Sequence, residues 1–339
     1  MITLLKKFLL AAFLSVAFML GVTQAEAATL SQNVKGDLKI TMLNVGHADA
    51  ILVQTGAQTI LIDTATPEIR GVVIKELEKL SVTKIDKLIL THPHADHIGG
   101  AKMLLDPIEK EVAKYPYLKK ISIGKVYDNG VVHTSKPYRR YMTSINEKGI
   151  AHQSLKTGDI LDFGNGVKFK VLFPTAKYVE TVNADPLKKD GEYKMNNGSI
   201  VGKLTYKNFS MMFTGDCEKE SEAKILASNN ARDLKCDVLK SGHHGVGTSS
   251  TKEFVKAINP SAVLISTADK IENNVRTGHP GVGVLRSYLQ CVNQKNIFCT
   301  RFNGVITVTS DGQNFSVTPE KKEDWVDKWI AHKQNLAKK

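Results

Sequence analysis

The sequence predicts a mixed α/β domain of two similar halves, with helices covering both outer faces of paired sheets. Apolar runs of strand length recur along the chain and are separated by glycine and polar turns. Segments with helical spacing of apolar residues alternate with these runs. Beyond the first 27 residues the chain has about 310 residues, no internal repeat and no low-complexity linker, so one large domain is expected.

The first half is predicted to open with strands and to lead through a helix into a histidine-rich loop. Gly99 and Gly100 let the next helix start close to that loop. Residues 174–196 are polar and charged, which predicts an exposed loop bordering the site. The expected elements are strands at 38–43, 50–54 and 59–62, a helix at 67–80, a strand ending at Thr91, a helix at 136–148, and strands at 159–163 and 167–173.

The second half repeats the alternation of strands and helices. One hydrolase domain is expected over residues 28–318, followed by a charged C-terminal helix or tail over 319–339. Trp325, Trp329 and Ile330 favour a terminal helix packed on the domain, and binding to a wall or membrane surface is the alternative. The expected elements are strands at 199–206 and 209–214, a helix at 218–227, a strand at 237–240, a helix at 251–258, a strand at 262–266, a helix at 282–289, and strands near 297 and at 305–308.

The first 27 residues are predicted to be a signal peptide. Lys6 and Lys7 precede the apolar stretch 8–22, and Ala25-Glu26-Ala27 has the small-residue spacing of a cleavage site. An uncleaved anchor is the alternative, although about 15 apolar residues are short for a bilayer span of about 20. No later segment is apolar enough to cross a membrane, so we expect a secreted, extracellular protein that is free or associated with the cell wall.

The chain is strongly basic, with a formal net charge of +12. Removing the predicted leader, with Lys6, Lys7 and Glu26, takes away one net positive charge and leaves +11. An exported protein with this charge is drawn to polyanions. DNA, RNA or teichoic acid is therefore the expected class of partner.

Four cysteines permit up to two disulfides in an oxidising compartment. Cys291 and Cys299 are the expected pair because they flank a predicted helix end and turn. Cys217 instead adjoins a suspected metal ligand, and Cys236 opens a strand. None has CxxC spacing, which argues against a cysteine zinc site.

A cluster of metal-ligating side chains follows the strand that ends at Thr91. His92, His94, Asp96 and His97 lie within six residues. A strand ending in a tight loop can point the first two histidines to one side and Asp96 and His97 to another, which suits two adjacent ions. A histidine-rich surface turn is the alternative. The pattern predicts a metal-dependent hydrolase.

Three later clusters also stand at predicted strand ends. Asp216 follows Gly215 after an apolar strand, where one carboxylate can bridge two cations. His243 and His244 lie between Gly242 and Gly245. His279 lies in a Gly-His-Pro turn ahead of a helix.

These clusters together resemble the metallo-β-lactamase superfamily, whose HxHxDH motif is matched by His92, His94, Asp96 and His97. The order of the motifs is similar to that of the ComEC-like branch, which includes the soluble domain of DNA-uptake channels and is similar to exported teichoic-acid phosphorylcholine esterases. The resemblance covers nearly all of residues 37–310. Its motifs here are Asn44-Val45-Gly46-His47-Ala48-Asp49-Ala50, Leu61-Ile62-Asp63-Thr64, 91–100, Asn197-Gly198-Ser199, Thr214-Gly215-Asp216 and Gly242-His243-His244-Gly245.

The resemblance implies a four-layer αββα sandwich with the metals at the edge of the two sheets. His92 and His94 would hold one ion, Asp96 and His97 the other, and Asp216 would bridge them. One of His243 and His244 would complete the ligands and the other would face substrate; which does which stays open. Asp63 would orient a ligand or the loop. Catalytic roles are expected for Asp96, His243 and His244, and substrate contacts for Asn197, Glu218 and His279.

The chain departs from the family pattern in its opening loop, where His47-Ala48 replaces the usual Gln-Gly, and at Ala65, which replaces a Gly. These changes put a substrate role of the loop in doubt. The histidine that many members supply between the first motif and the bridging aspartate has only His133 and His152 as candidates, each expected at the surface. Asn197 lies where this branch carries an asparagine, so one ion is expected to be held less tightly.

Two divalent ions about 3.5 to 4 Å apart can lower the pKa of a shared water and hold the hydroxide in line with a scissile bond. Zn²⁺ is expected, with Mn²⁺ or Fe also accepted. The leading hypothesis is an exported phosphodiesterase acting on nucleic acid or a phosphate-bearing wall polymer. The alternatives are a lactam or lactone hydrolase and a non-catalytic module that binds polyanions.

Overall fold

The computed structural model describes residues 28–185, 195–272 and 275–338, so the predicted signal peptide lies outside the described residues. The described residues form eighteen strands. In chain order these are β1 (Thr29–Leu30), β2 (Leu38–Met42), β3 (Ile51–Gln54), β4 (Thr59–Ile62), β5 (Lys84–Ile89), β6 (Ser122–Asp128), β7 (Ala151–Ser154), β8 (Ile160–Asp162), β9 (Lys168–Phe173), β10 (Val201–Tyr206), β11 (Phe209–Phe213), β12 (Val238–Lys240), β13 (Ala262–Ile265), β14 (Asp269–Glu272), β15 (Val275–Gly278), β16 (Ile297–Cys299), β17 (Ile306–Ser310) and β18 (Asn314–Pro319).

Helices connect most of these strands, and 3₁₀ turns cover Pro116–Lys120, Gly242–Gly245 and Gln294–Asn296. None of the helices in the described ranges is both long and apolar enough to span a bilayer. The helices are α1 (Arg70–Lys79), α2 (Ala95–Ile98), α3 (Ala101–Leu105), α4 (Glu109–Lys114), α5 (Lys136–Lys148), α6 (Ala176–Ala184), α7 (Lys219–Ser228), α8 (Ala231–Leu234), α9 (Lys252–Ile258), α10 (Val282–Tyr288), α11 (Thr300–Asn303) and α12 (Val326–Leu336).

Two large mixed sheets organise the molecule. The first has the order β1-β18-β17-β2-β3-β4-β5-β6-β7, and the second has the order β16-β13-β12-β11-β10-β9-β8. Strands β4 to β7 run parallel, as do β11, β12, β13 and β16. Because parallel strands end at a common edge, the loops that follow them meet there. Strands β14 and β15 form a separate hairpin.

The side-chain alternation of the strands builds three apolar layers. Ile40 and Val53 of the first sheet pack with Phe169 and Phe213 of the second, forming the core between the sheets. Residues of opposite parity, such as Leu52 and Leu61, face α1, α3 and α5 on one outer side. On the other outer side the second sheet packs against α7, α9, α10 and α12. The predicted four-layer αββα sandwich is confirmed.

Three strands near sheet edges, β6, β7 and β18, were not predicted from the sequence. Strand β6 is apolar only toward its end, β7 reads Ala-His-Gln-Ser, and β18 is interrupted by polar residues. Helix α5, by contrast, begins and ends where predicted. Ser135 caps its first turn by accepting a hydrogen bond from the Tyr138 amide, and Gly149 ends it with φ 62°.

The prediction of an exposed loop at 174–196 is wrong for its first part, where α6 forms. Thr175 accepts a hydrogen bond from the Tyr178 amide at the start of this helix. Val182 is buried against Val131 and Met195. A single buried apolar side chain in a polar stretch gave too weak a periodic signal. Residues 186–194 of the predicted loop lie outside the described residues.

The C-terminal segment packs on the domain through α12. Trp325 and Trp329 are buried, and their indole N–H groups donate to the carbonyls of Ile297 (3.1 Å) and Pro280 (2.8 Å). All four cysteines are free thiols, so the expected Cys291–Cys299 disulfide is absent. Cys299 ends β16 with its side chain fully buried, whereas Cys291 lies beyond α10 and is partly exposed.

A buried ion pair joins loops of the two sheets. Lys240, at the end of β12 in the second sheet, contacts the Asp49 carboxylate from the loop that follows β2. Its ammonium group also donates to the Gly215 carbonyl at 2.8 Å. Burial disfavours the charged lysine, but the carboxylates of Asp49 and Asp216 outweigh this effect and raise the pKa of Lys240. The lysine therefore stays charged inside the protein.

Replacing Lys240 by methionine should lower the free energy of unfolding of the metal-free protein by about 3 kcal/mol, because Asp49 then stays buried without its cation. Adding Asp49→Asn should recover much of this loss. Chemical denaturation of both variants measures the coupling between the two side chains. Lys39→Met, at an exposed position of β2, is the matched control. Equal losses in the single and double variants would contradict the pairing.

Candidate metal centre

The predicted ligands lie on loops that follow strands at one shared edge of the sandwich. The HxHxDH loop follows β5, Asp216 follows β11, and His243 and His244 follow β12. Gly215 makes the turn before Asp216 at φ 48°, where an added Cβ would approach the Ser199 Cβ to 2.9 Å. Ser199 Oγ accepts a hydrogen bond from the Asp216 amide at 3.0 Å and fixes this turn.

Four side chains converge on one ion-sized space. Asp96, His97, Asp216 and His244 each place a ligand atom within 4.8 Å of the other three. His244 Nε2 lies 3.1 Å from Asp96 Oδ2 and 3.4 Å from Asp216 Oδ2. Nδ1 of the same ring donates to the Ser266 carbonyl at 2.9 Å, so Nε2 remains for a ligand.

Asp63 holds His97 from behind. Its Oδ2 lies 2.7 Å from His97 Nδ1, which directs His97 Nε2 toward Asp216 at 3.2 Å. The Thr91 amide and hydroxyl both donate to Asp63, at 2.8 and 2.7 Å. Asp63 thus ties together the end of β5 and the orientation of one imidazole.

His92 and His94 lie close together, and the His92 ring is 4.1 Å from that of His97. His92 Nε2 lies 3.0 Å from His94 Nδ1 and 3.9 Å from Asp216 Oδ2. His243 Nε2 approaches the same carboxylate oxygen to 3.8 Å. The same oxygen of Asp216 is also approached by His97 Nε2 at 3.2 Å and by His244 Nε2 at 3.4 Å.

The imidazole nitrogens and carboxylate oxygens of this cluster are of the types that bind divalent cations. Several of them lack hydrogen-bond partners within the described part of the protein. Among the described residues, His97 Nε2, Asp216 Oδ1 and Asp49 Oδ1 are buried and have no hydrogen-bond partner. Burial disfavours a charged His244, yet the Asp216 and Asp49 carboxylates outweigh it and raise its pKa to about 10. The site thus demands positive charge, and binding of ions by these imidazoles would release protons.

Glu218 lies beneath His243 instead of facing open solvent. It is buried, and its Oε1 lies 3.0 Å from His243 Nδ1 and accepts from Thr248 Oγ1 at 2.7 Å. The Asn196 amide group donates to the same oxygen at 3.3 Å. Burial alone would raise the pKa of Glu218, but the hydrogen bonds from His243 and Thr248 lower it. The Glu218 carboxylate thus fixes the ring of His243.

Asn196, not Asn197, lies beside His243. Asn196 Nδ2 is 3.4 Å from His243 Nε2, and its Oδ1 is buried without a hydrogen-bond partner among the described residues. Asn197 instead accepts from the Ser221 amide and hydroxyl and donates to Glu220, at the start of α7. Consecutive residues of one turn point in different directions, so the two asparagines could not be distinguished by sequence.

His279 lies at the rim with His47. Their rings are 5.3 Å apart, and the His47 ring is 4.4 Å from that of His244. Burial, together with His244 and His279, lowers the pKa of His47 to about 3. Of the other candidates, His133 lies 6.4 Å from the His94 ring, whereas His152 bonds Asp128 at 2.8 Å on edge strand β7.

The sequence patterns included Asp49 in a motif and residue 240 at the end of a predicted strand, and assigned neither Asp49 nor Lys240 a role. The available signal was a charged residue closing the otherwise apolar strand β12. A lysine in that place needs a buried acidic partner, which points to an aspartate in another motif.

Comparisons with known proteins agree with this geometry. The family model described as metallo-beta-lactamase superfamily matches residues 43–268. ComE operon protein 3 of Bacillus subtilis is 31% identical over 73% of this chain and 30% of its own length. Competence protein ComA of Neisseria gonorrhoeae is 24% identical over 75% of this chain and 32% of its own length. Recombination protein 2 of Haemophilus influenzae is 27% identical over 68% of this chain and 24% of its own length.

The chain thus spans less than a third of the length of each of these relatives. Among solved structures, the metallo-beta-lactamase fold protein YhfI from Bacillus subtilis is 12% identical, with a TM-score of 0.47 over 80% of this chain and 99% of that chain. The chain belongs to the metallo-β-lactamase superfamily, and its similarity to the competence proteins puts it in the ComEC-like branch.

Proposed function

We propose that this protein is an exported, metal-dependent phosphodiesterase that acts on nucleic acid with two divalent ions, Zn²⁺ by preference and Mn²⁺ or Fe as substitutes. The observation that carries the proposal is the position of Asp216. Its Oδ2 is approached by imidazole nitrogens of His97, His244, His243 and His92 at 3.2, 3.4, 3.8 and 3.9 Å. Such a carboxylate is suited to two ions held side by side.

The substrate class rests on charge and on the relatives. The chain carries a net charge of +12, which favours polyanions over small neutral rings. The names of two of the similar proteins refer to competence and recombination, which are processes of DNA. Both points support a nucleic-acid phosphodiester over a lactam or lactone. Export rests on the N-terminal leader pattern.

The proposal gives each side chain a separate task. When bound, two divalent ions lower the pKa of a water molecule and neutralise charge that grows on the phosphoryl oxygens. His92 and His94 would hold one ion, and Asp96, His97 and His244 the other. Despite burial, His97 and His244 keep the pKa of Asp96 below its usual range, so its carboxylate stays ionised, which suits an ion ligand better than a proton acceptor.

His243 is the better candidate for the histidine that faces substrate. Its side chain is 22% exposed, whereas that of His244 is fully buried in the four-residue cluster. With Nδ1 held by Glu218, its Nε2 is directed toward the reacting centre and can deliver a proton to the leaving oxygen. Glu218 acts through His243 as a positioning residue, and its expected substrate contact is replaced by this role.

Bis(p-nitrophenyl) phosphate should be hydrolysed by the metal-loaded protein and not in the presence of a chelator. Asp216→Ala should reduce the rate by about 100-fold or more, because both ions lose a shared ligand. A spectrophotometric assay and elemental analysis of bound metal measure both effects.

Asp233→Ala, at an exposed position of α8, should leave rate and metal content unchanged. No turnover with any of the three metals would contradict the proposal and favour the non-catalytic polyanion-binding module. Turnover of a chromogenic cephalosporin alone would favour the lactamase reading.

Glu218→Gln should slow hydrolysis of a dinucleotide by about 10-fold to 100-fold, while hydrolysis of bis(p-nitrophenyl) phosphate falls much less. The reason is that p-nitrophenolate leaves without needing a proton, whereas a nucleoside alkoxide needs one. Comparing kcat for the two substrates measures the difference.

Glu220→Gln, two residues farther along the same segment, serves as the matched control. Equal losses for both leaving groups would mean that Glu218 supports only the shape of the site. Such a result would remove His243 as the proton donor without touching the assignment of the metal ligands.

A further inference from the structure

We propose that the first turn of α5 binds the phosphate backbone of a single-stranded nucleic acid beside the metal centre, through Lys136, Arg139 and Arg140. This inference rests on the proposed function and assigns the path of the strand. It concerns side chains outside the metal-binding motifs.

The first turn of α5 lies next to the His92–His94 side of the site. Helix α5 packs against α2, which carries Asp96 and His97. His133, just before the helix, has its ring 6.4 Å from that of His94. Its Nδ1 accepts a hydrogen bond from the Ser135 amide at 3.2 Å. The helix start is thereby fixed beside a proposed metal ligand.

Lys136, Arg139 and Arg140 are exposed, and none of them forms an ion pair in the part of the chain that the structure describes. By contrast, Lys148 at the far end of the same helix is paired with Asp106 at 3.1 Å, and Asp106 also pairs with Lys102 at 3.1 Å. Uncompensated positive charge is thus concentrated at the end of α5 that borders the site.

This placement of charge works against the stability of the helix. The first turn contains no acidic residue, so three cations stand where the helix dipole favours anions. Lys136 is also three and four residues from Arg139 and Arg140, the spacings at which like charges repel on one helix face. A bound chain of phosphates would relieve both effects, and the two guanidinium groups suit phosphate oxygens.

The neighbouring rings favour nucleic acid over a wall polymer. Tyr138 lies within the same turn, with its ring 6.5 Å from that of His133. Both side chains are partly exposed, and Tyr138 also packs against the core beside Tyr141, with ring centroids 5.3 Å apart. Aromatic rings on a basic surface can stack unpaired bases, which a polymer of glycerol phosphate lacks. Single-stranded nucleic acid is the substrate class that matches both the basic side chains and the aromatic rings.

The test compares binding of a fluorescein-labelled oligothymidylate of about 20 nucleotides by fluorescence anisotropy, in chelator so that no cleavage occurs. The variant carries Lys136→Gln, Arg139→Gln and Arg140→Gln. Its affinity should fall about tenfold or more at about 0.1 M salt, and the slope of log K against log salt should drop by about 2. Circular dichroism checks that the variant is folded.

The matched control removes the same charge at the opposite end of the first sheet, through Lys84→Gln, Lys119→Gln and Lys120→Gln. These three lysines are exposed and lie at or just before the starts of the parallel strands β5 and β6, whereas the site follows the end of β5. The control should bind the oligonucleotide as the unmodified protein does. Equal losses in the two triple variants would overturn the proposal, since they would reflect net charge alone.

Two further outcomes separate this inference from the proposed function. A protein that hydrolyses bis(p-nitrophenyl) phosphate but whose α5 variant binds oligothymidylate normally would overturn the inference alone. Loss of binding in the α5 variant, with no hydrolysis by any metal form, would support the surface and remove the phosphodiesterase. Equal affinity of the unmodified protein for poly(glycerol phosphate) with as many phosphates would overturn the assignment to nucleic acid.

Discussion

Four carboxylates gathered where the two sheets share an edge are the constraint on which the site depends. Asp49, Asp63 and Asp216 are buried and Asp96 lies beside them. Negative charge inside a protein is costly unless cations lie close to it. Lys240 supplies one fixed cation from the second sheet, and the carboxylates raise the pKa of His97 and of His244 despite burial, which favours the protonated form of both rings. Divalent ions would balance the same buried negative charge. The carboxylates that hold the two sheets together at this edge therefore also favour the binding of cations.

The fold was predictable from the sequence because strands buried on both faces are recognisable as short, continuous apolar runs. Strands such as β12 and β13 are apolar at successive positions, since one parity faces the core between the sheets and the other faces helices. The metal-binding loops follow such strands, so their meeting at one edge was predictable. Edge strand β7 and helix α6 were not predictable from the sequence. Each buries few apolar side chains, so tertiary contacts decide its structure.

Residue types in the site were more predictable than their directions. The HxHxDH loop and Asp216 converge as the motifs indicated, since strand ends fix where they lie. The direction of Asn196, Asn197 and Glu218 depends on turns whose dihedral angles no pattern of residue types encodes. The carboxylate of Glu218, for which a substrate contact was predicted, lies 3.0 Å from His243 and accepts hydrogen bonds from the Thr248 hydroxyl and the Asn196 amide.

The backbone of the adjacent histidines shows how one turn provides two kinds of imidazole. His243 and His244 both adopt left-handed conformations, with φ of 44° and 53°, which cost residues bearing a Cβ about 1 to 2 kcal/mol each. The strain persists because distant partners hold both rings, Glu218 for the first and the Ser266 carbonyl for the second. A relaxed helix or strand would not direct neighbouring side chains to these two partners. The turn therefore places the buried imidazole of His244 beside Asp96, His97 and Asp216 and leaves that of His243 partly exposed.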